Sequence, residues 1–267
     1  MDTIFQSILE KDRQYNAGDM AAELFGLHSD VHYDLLVAAP CWKPQTFVWP
    51  EDTDVLSAEI HSYISGYELM IGQRRVGWIQ TSSSAANLLD HLLVCAHLTF
   101  DKLVFIGAVG GIHPNFALGD ICTPSSCVDG TFAAAYLLDD PRKYRPFETV
   151  TPHCPAFISR VTEEAAARGI RIRSGKVYCT DSICCEYYHL PFIRSFAPEL
   201  IEMETAMFYR LAARLEKPSV ALLVVSDNST NGQPLLGRSP EQETAYKLSR
   251  GQHIPALVRM LAEMEIQ

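Results

Sequence analysis

Three apolar stretches set the frame of the chain. They are Tyr33 to Ala39, closed by Pro40, then Leu103 to Ile106, and Ser219 to Ser226. Each is short, mostly apolar and flanked by turn formers, the pattern of a strand buried on both faces. Period-two alternation around Tyr67 to Ile71 and Val76 to Thr81, with Gly72-Gln73 between, predicts a hairpin. Ser82 to Ser84 read as the cap of a helix of Ala, Leu and Cys ending near Thr99. Further helices are predicted at Ala156 to Arg168, Ile201 to Leu215 and Glu241 to Glu263, and further strands at Ile121 to Thr123 and Val177 to Thr180. The proline-bearing stretch from Trp42 to Asp54 and the Gly/Pro-rich residues 107–120 read as loops. Residues 1–32 mix short amphipathic pieces and form a helical extension to a domain covering 1–267. Helices that alternate with buried strands give an α/β fold on a partly parallel sheet.

Composition narrows the partners. With 22 Lys and Arg against 32 Asp and Glu, the chain of 267 residues carries a formal charge of −10. That excludes the basic face needed by nucleic acid or an anionic membrane as main partner. No apolar run approaches the roughly 20 residues of a membrane span. Met1-Asp2-Thr3-Ile4-Phe5 lacks a basic and an apolar leader region, so a cytoplasmic location is expected. Cys95, Cys122 and Cys179 sit in apolar runs, Cys184 and Cys185 are adjacent, and no CxxC pair occurs. Reduced, buried thiols fit this better than disulfides or zinc, and no metal or cofactor is expected.

Three segments carry candidate chemistry, and each has an ordinary reading beside it. Gly107-Ala108-Val109-Gly110-Gly111 follows a strand but lacks the GxGxxG spacing and leads to another strand. That argues against a dinucleotide site and for a tight turn. Glu202-Met203-Glu204 opens the predicted helix at Ile201, where acids are favoured by the helix dipole alone; a carboxylate there could also accept from two vicinal hydroxyls. Ser226-Asp227-Asn228 ends the most apolar strand, where ligand sites gather in open α/β sheets. A desolvated Asp there can hold its proton and act as a general acid, or simply form a turn.

Taken in order, these segments resemble the purine nucleoside phosphorylase and uridine phosphorylase superfamily, which includes methylthioadenosine/S-adenosylhomocysteine nucleosidase-like members. F-I-G-A-V-G-G-I-H-P-N-F-A-L-G-D, up to Asp120, resembles the family's glycine loop. I-E-M-E-T-A, Ile201 to Ala206, resembles its ribose-binding segment, and V-V-S-D-N, Val224 to Asn228, the strand end with its purine-specific acid. The resemblance implies a single domain with a mixed, partly barrel-like central sheet flanked by helices, assembled as a dimer, trimer or hexamer. It implies cleavage of the N-glycosidic bond of a small-molecule purine nucleoside, with phosphate as the co-substrate of phosphorolytic members.

Residue by residue, the resemblance gives Asp227 the proton delivery to the base, with Arg238 as its companion or else a solvated loop cation. It gives Glu204 the ribose hydroxyls, with Met203 at the sugar and Glu202 more peripheral. Ile183 falls at the base-stacking position, with Tyr187 and Tyr188 as substitutes, and Asp181 lies in the base-flanking loop. Gly107, Ala108, Gly110, Lys43 and Ser82 are the expected site of the attacking phosphate. The chain departs from the family there. Phe105 stands where uridine phosphorylase relatives have Arg, Ala108 replaces a Ser or Thr, and Ala39-Pro40-Cys41-Trp42-Lys43 replaces a GDPxR loop. Arg74, Arg75, the serines 82–84 or a neighbouring chain would then have to hold an anion. The Glu that positions water in nucleosidases is missing after the first strand, with Glu51 the nearest acid. The expectation is a phosphorylase-like enzyme. The alternatives are a hydrolytic nucleosidase and a silent nucleoside-binding protein.

Overall fold

The structure, a computed structural model, describes residues 3–16 and 18–266. The chain opens with helices α1 (Thr3–Tyr15) and α2 (Met20–Phe25), followed by β1 (His32–Tyr33), β2 (Leu35–Ala38), β3 (Thr53–Ile60), β4 (Ser65–Ile71) and β5 (Arg74–Gln80). Helix α3 (Ala85–Val94) leads to β6 (Thr99–Phe100), β7 (Leu103–Gly111), β8 (Ile121–Asp129) and β9 (Thr149–Val150). Then come α4 (Pro155–Ala167), β10 (Ile172–Cys179), α5 (Ile183–Arg194), β11 (Leu200–Glu202), α6 (Thr205–Arg214), β12 (Ser219–Asn228), α7 (Pro240–Leu248) and α8 (Ile254–Glu263).

One ten-stranded mixed sheet runs β11-β10-β8-β12-β7-β2-β5-β4-β3, with β9 attached to β8. Strand β11 also pairs antiparallel with β7, Leu200 against Gly111 and Ile201 against Gly110. That contact closes β11, β10, β8, β12 and β7 into a five-stranded barrel, from which β2, β5, β4 and β3 extend as a wing. The barrel-like mixed sheet implied by the resemblance is thus what the chain forms.

Strands β7 and β12 lie in the middle and face a core on both sides, which explains their unbroken apolar sequences. Phe105, Ala221, Leu223 and Val225 point to one core, shared with Leu88 of α3 and Phe208 of α6. Val104, Ile106, Val220, Leu222 and Val224 point to the other, shared with Phe157 of α4 and Leu257 and Leu261 of α8. The strict alternation between neighbours is the two-residue period of a strand. Lys102, buried at the start of β7, donates from Nζ to the carbonyls of Ala262 and Met264 at the end of α8, satisfying carbonyls a helix end leaves free.

Several boundaries differ from the sequence reading, each for a physical reason. Gly107 to Gly111 is strand, not loop, because β12 pairs with it along its length and β11 with Gly110 and Gly111. Leu200–Glu202 is a strand, so the helix predicted from Ile201 starts only at Thr205. Strand β3, within a stretch read partly as loop, is exposed on most of its length and held by its ladder to β4 rather than by burial. Helix α5 went unread because Cys, Tyr and Pro191 hide its period. The predicted helix 241–263 is interrupted by a widened turn at Ser249–His253. Pro255 has no N–H for the carbonyl of Gly251, and that carbonyl accepts from Val48 instead at 2.8 Å.

Gly66 tests how α2 rides on the wing. A Cβ there would lie 1.9 Å from the carbonyl oxygen of Phe25 and 2.3 Å from its Cα. Gly66→Ala should destabilise the fold by about 1–3 kcal/mol or more. Gly251→Ala, where nothing lies within 4 Å, should stay within about 0.5 kcal/mol. Denaturant midpoints of the two variants check both.

Candidate active site

The ends of β2, β7, β11 and β12 converge on one cavity of about 160 Å³. For the parallel strands β2, β7 and β12 these are carboxyl ends, where ligand crevices of α/β sheets form. Strand β7 contributes Gly107, Ala108 and Gly110, β11 and its exit Glu202, Met203 and Glu204, and β12 Ser226 and Asp227. Pro40, Cys41 and Trp42 follow β2, Ser83 precedes α3, and Ile183, Glu186 and Tyr187 come from α5.

A bulge places Asp227. The β12–β7 register runs Val225 to Val109 and then Asp227 to Gly110, with Ser226 as the additional residue, and such bulges re-aim a side chain at a strand end. The Ser226 hydroxyl donates to Oδ1 of Asp227 at 2.6 Å. Gly110 is needed opposite, since a Cβ would stand 3.1 Å from Ile201 Cγ2 and 3.2 Å from Asp227 Oδ2. Burial pushes the half-buried Asp227 carboxyl above its ordinary value, against the Ser226 hydrogen bond and the Arg238 charge. Arg238 itself does not line the cavity. Its Nε donates to the Ser226 carbonyl at 2.9 Å, its Nη1 to Glu243 at 3.1 Å, and its guanidinium lies 4.2 Å over the Tyr246 ring. It is a buttress behind β12.

Glu202 and Glu204, two residues apart, have opposite circumstances. Glu202 accepts four hydrogen bonds, from the N–H groups of Glu204 (2.7 Å) and Thr205 (2.9 Å), the Thr205 hydroxyl (2.8 Å) and the Cys179 thiol (2.8 Å). It ties β10, β11 and the start of α6 together. With four internal donors, it is a structural acceptor of the fold, while burial pushes its carboxyl above the ordinary value. Glu204 sits at the N-cap of α6, is 6% exposed, and has an Oε1 without a partner among the described residues. Burial first, and the Glu202 charge second, push its carboxyl well above the usual range. A buried acceptor left unpaired costs about 1–3 kcal/mol, and a ligand hydroxyl would remove that cost.

The other expected site residues divide. Ile183 (44% exposed) and Tyr187 line the cavity, whereas Tyr188 is 85% exposed and does not. Asp181, Lys43 and Ser82 lie outside its lining. The Ser82 hydroxyl donates to the Tyr63 carbonyl on another recess, and Ser83 reaches the cavity in its place. Phe105 is core, 5.5 Å from the Phe208 ring. The sequence reading missed Glu186, which is 8% exposed and driven to about 7 by burial and the Asp227 charge. A helix at 183–194 would have revealed it, since Ile183, Glu186 and Tyr187 share one face at three- and four-residue spacing. Among the described residues lining the cavity four are carboxylic acids and none is Lys, Arg or His.

The chain belongs to the Phosphorylase superfamily, whose family model matches residues 59–252. It thereby joins the nucleoside phosphorylases and nucleosidases, as its relatives are named. It is 30% identical to "Purine nucleoside phosphorylase DeoD-type" of Roseobacter denitrificans over 52% of this chain and 58% of that protein, little more than half the relative's length. It is 24% identical to a 5'-methylthioadenosine/S-adenosylhomocysteine nucleosidase of Shewanella frigidimarina over 82% of this chain and 92% of that one. In fold it is similar to a purine nucleoside phosphorylase from Toxoplasma gondii, with TM-score 0.68, 13% identity and 88% and 92% of the two chains covered. It is likewise similar to AMP nucleosidase from Bacteroides thetaiotaomicron, with TM-score 0.64, 17% identity and 93% and 97% covered.

The two glutamates should respond oppositely to the same change. Glu202→Gln places an amide N–H₂ against donors and should cost about 1–3 kcal/mol. Glu204→Gln removes a buried carboxyl that is costly to ionise and should stabilise by about 0.5–2 kcal/mol near neutral pH. A carboxyl with a raised folded-state pKa contributes stability at acid pH that is lost as pH rises through that pKa. The gain from Glu204→Gln should therefore be larger at neutral than at acid pH. Denaturant unfolding at both pH values measures it.

Proposed function

We propose that the chain cleaves the N-glycosidic bond of a purine nucleoside and transfers the sugar to water. The observation that carries the reading is the buried, unpartnered Oε1 of Glu204 in the same cavity as the Asp227 carboxyl, which burial pushes above its ordinary value. Glu204 accepts from the ribose hydroxyls and Met203 packs beside the sugar. Asp227 donates a proton to a purine ring nitrogen as the C1′–N9 bond breaks and its electron pair leaves with the base. The sugar becomes oxocarbenium-like, and the acidic walls stabilise that positive charge while doing little for the neutral ground state. Water adds to C1′ and gives up a proton to a carboxylate, restoring the balance.

Charge supports water as the acceptor. A phosphate dianion would enter a cavity with four acids and no cation among its described lining residues. Phosphate sites are built on Arg, Lys or clustered N–H donors. Of the residues expected to hold phosphate, Gly107, Ala108 and Gly110 line the cavity, while Lys43 and Ser82 lie outside it. Water requires only a polar wall. Phosphorolysis is the second reading, favoured by the 30% identity to a protein named as a purine nucleoside phosphorylase; its cations would come from a second copy of the chain.

Base release from adenosine, inosine and 5′-methylthioadenosine, with and without phosphate, decides between them. Equal rates with free ribose as product are expected. Release in phosphate only, as ribose 1-phosphate, would overturn the water reading, and release in neither buffer would make the chain a binding protein. Asp227→Asn should keep the fold and lower turnover about 10²–10⁴-fold. Glu204→Gln should weaken ribonucleosides by about 1.5–3 kcal/mol and 2′-deoxyribonucleosides less. Equal losses for both sugars would remove Glu204 from the diol.

A further inference from the structure

Beside the cavity lies a second recess, of about 560 Å³, for which the proposed reaction has no use. Ile183, Tyr187, Asp227 and Leu235 line both spaces, so the two are continuous. Gly107, Ala108, Met203 and Glu204, which line the cavity, do not line the recess. It therefore opens at the Asp227 end of the cavity, away from Glu204.

One wall is a short arch over the end of β12. Asn228 and Gln233 exchange backbone hydrogen bonds of 2.9 and 3.0 Å and close a tight turn. The Asn228 side chain fixes that turn. Its Oδ1 accepts from the Thr230 N–H at 2.9 Å, and its Nδ2 donates to the carbonyls of His113 and Phe116 at 2.9 and 2.7 Å. At the far foot of the arch, Arg238 Nε donates to the Ser226 carbonyl at 2.9 Å. Residues 234–237 thus span two anchors, on Asn228 and Ser226, the chain neighbours of Asp227. Pro234, Leu235 and Leu236 of the arch line the recess.

The second wall is the first turn of α5. The Ser182 hydroxyl caps it by accepting from the Cys185 N–H at 3.2 Å, and Ile183, Cys184 and Tyr187 line the recess. Leu236 is 85% exposed, Tyr187 50%, Ile183 44% and Leu235 37%. Large apolar side chains gathered open around one hollow mark a place where something apolar binds.

The position of the recess selects its occupant. In the proposed reaction Asp227 meets the imidazole nitrogen of the purine that is free of the sugar. On one side of that nitrogen is C8, beside the glycosidic bond. On the other is the substituent of C6, on the edge remote from the sugar. A space that shares Asp227 with the cavity and lacks its Glu204 side faces the C6 substituent. We propose that the recess is a subsite for an apolar group carried at C6 of the base, and that the preferred substrates are 6-alkylamino- or 6-arylalkylaminopurine nucleosides. The inference rests on the reading of the cavity as a purine nucleoside site. An apolar group seated there takes its own surface and that of both walls out of water, and the gain grows with the area covered. The arch is held by its own hydrogen bonds before any ligand arrives, so little ordering opposes binding. A substituent on the 5′ carbon starts from the Met203–Glu204 side and belongs elsewhere.

The test compares kcat/KM for adenosine and for the riboside of 6-benzylaminopurine in wild type, Leu236→Ser and Cys184→Trp. Dissociation constants of free adenine and free 6-benzylaminopurine are measured in parallel. Leu236 and Cys184 line the recess but not the main cavity. Wild type should favour the benzylated nucleoside by about 10–100-fold, as burial of one phenyl-sized group predicts. Leu236→Ser strips one wall and should cut that ratio by about 3–10-fold. Cys184→Trp fills the space and should bring the ratio to one or below. A wild-type ratio of one or less overturns the proposal. So does a preference unchanged in Leu236→Ser, whether or not Cys184→Trp folds. Loss of self-association in Leu236→Ser with an unchanged ratio, read by sedimentation, would show that a second copy of the chain covers the walls, and also overturns it. If neither nucleoside is cleaved, the proposed reaction fails separately, and the free bases decide. Tighter binding of 6-benzylaminopurine than of adenine, weakened by Leu236→Ser, supports the subsite, and any other pattern overturns it.

Discussion

The pairing of Leu200 with Gly111 and of Ile201 with Gly110 turns an open sheet into a barrel, and the site depends on it. Without that closure β11 would be an edge, and Glu202, Met203 and Glu204 would not face the end of β12. The contact is possible because residues 110 and 111 are glycines: a Cβ on Gly111 would fall 2.5 Å from Nδ2 of Asn228, and one on Gly110 would crowd Ile201 and Asp227. The glycine-rich segment is therefore a strand whose glycines are required by packing, not a turn. It lets three strands and the side chains of Ile201, Asp227 and Asn228 approach one another.

Around that closure, negative charge is sorted by what each carboxyl can bond. Glu202 is saturated with four donors and acts as a rivet between β10, β11 and α6. Glu204 lacks a partner for one oxygen, and the Glu186 carboxyl makes no hydrogen bond to a described residue. Asp227 lies between these extremes, bonded by Ser226 and moderated by Arg238 from behind the strand. An assembly of acids that the chain itself leaves incomplete is unfavourable in the empty state, and it is complementary to hydroxyls, ring nitrogens and a developing positive charge.

Much of this was legible one residue at a time. The central strands could be read because they are buried on both faces, which forces continuous apolar sequence on Leu103 to Ile106 and Ser219 to Ser226. Glu204 and Asp227 could be read because they sit in ordered motifs that resemble those of the family. Strand β3 and helix α5 could not. The first is stabilised by its ladder to β4 with little burial to pattern it, and the second carries Pro191 and a mixed face. With α5 unread, Glu186 had no place on a helix face and no visible neighbour.

The sequence by itself determined the α/β alternation, the acidic balance and the two carboxyls with the strongest claim to chemistry. Periodicity and composition are local, and each residue carries its share of them. Tertiary structure alone decided that Gly107 to Gly111 is strand, that Glu202 is saturated with internal donors while Glu204 keeps one oxygen unpartnered, and that Arg238, Lys43 and Ser82 stand outside the cavity. Those distinctions depend on which donors reach a side chain from β7, β10, β12 and α6 at once, and on where water is excluded. Both are set by contacts between residues tens of positions apart, which no local spacing encodes.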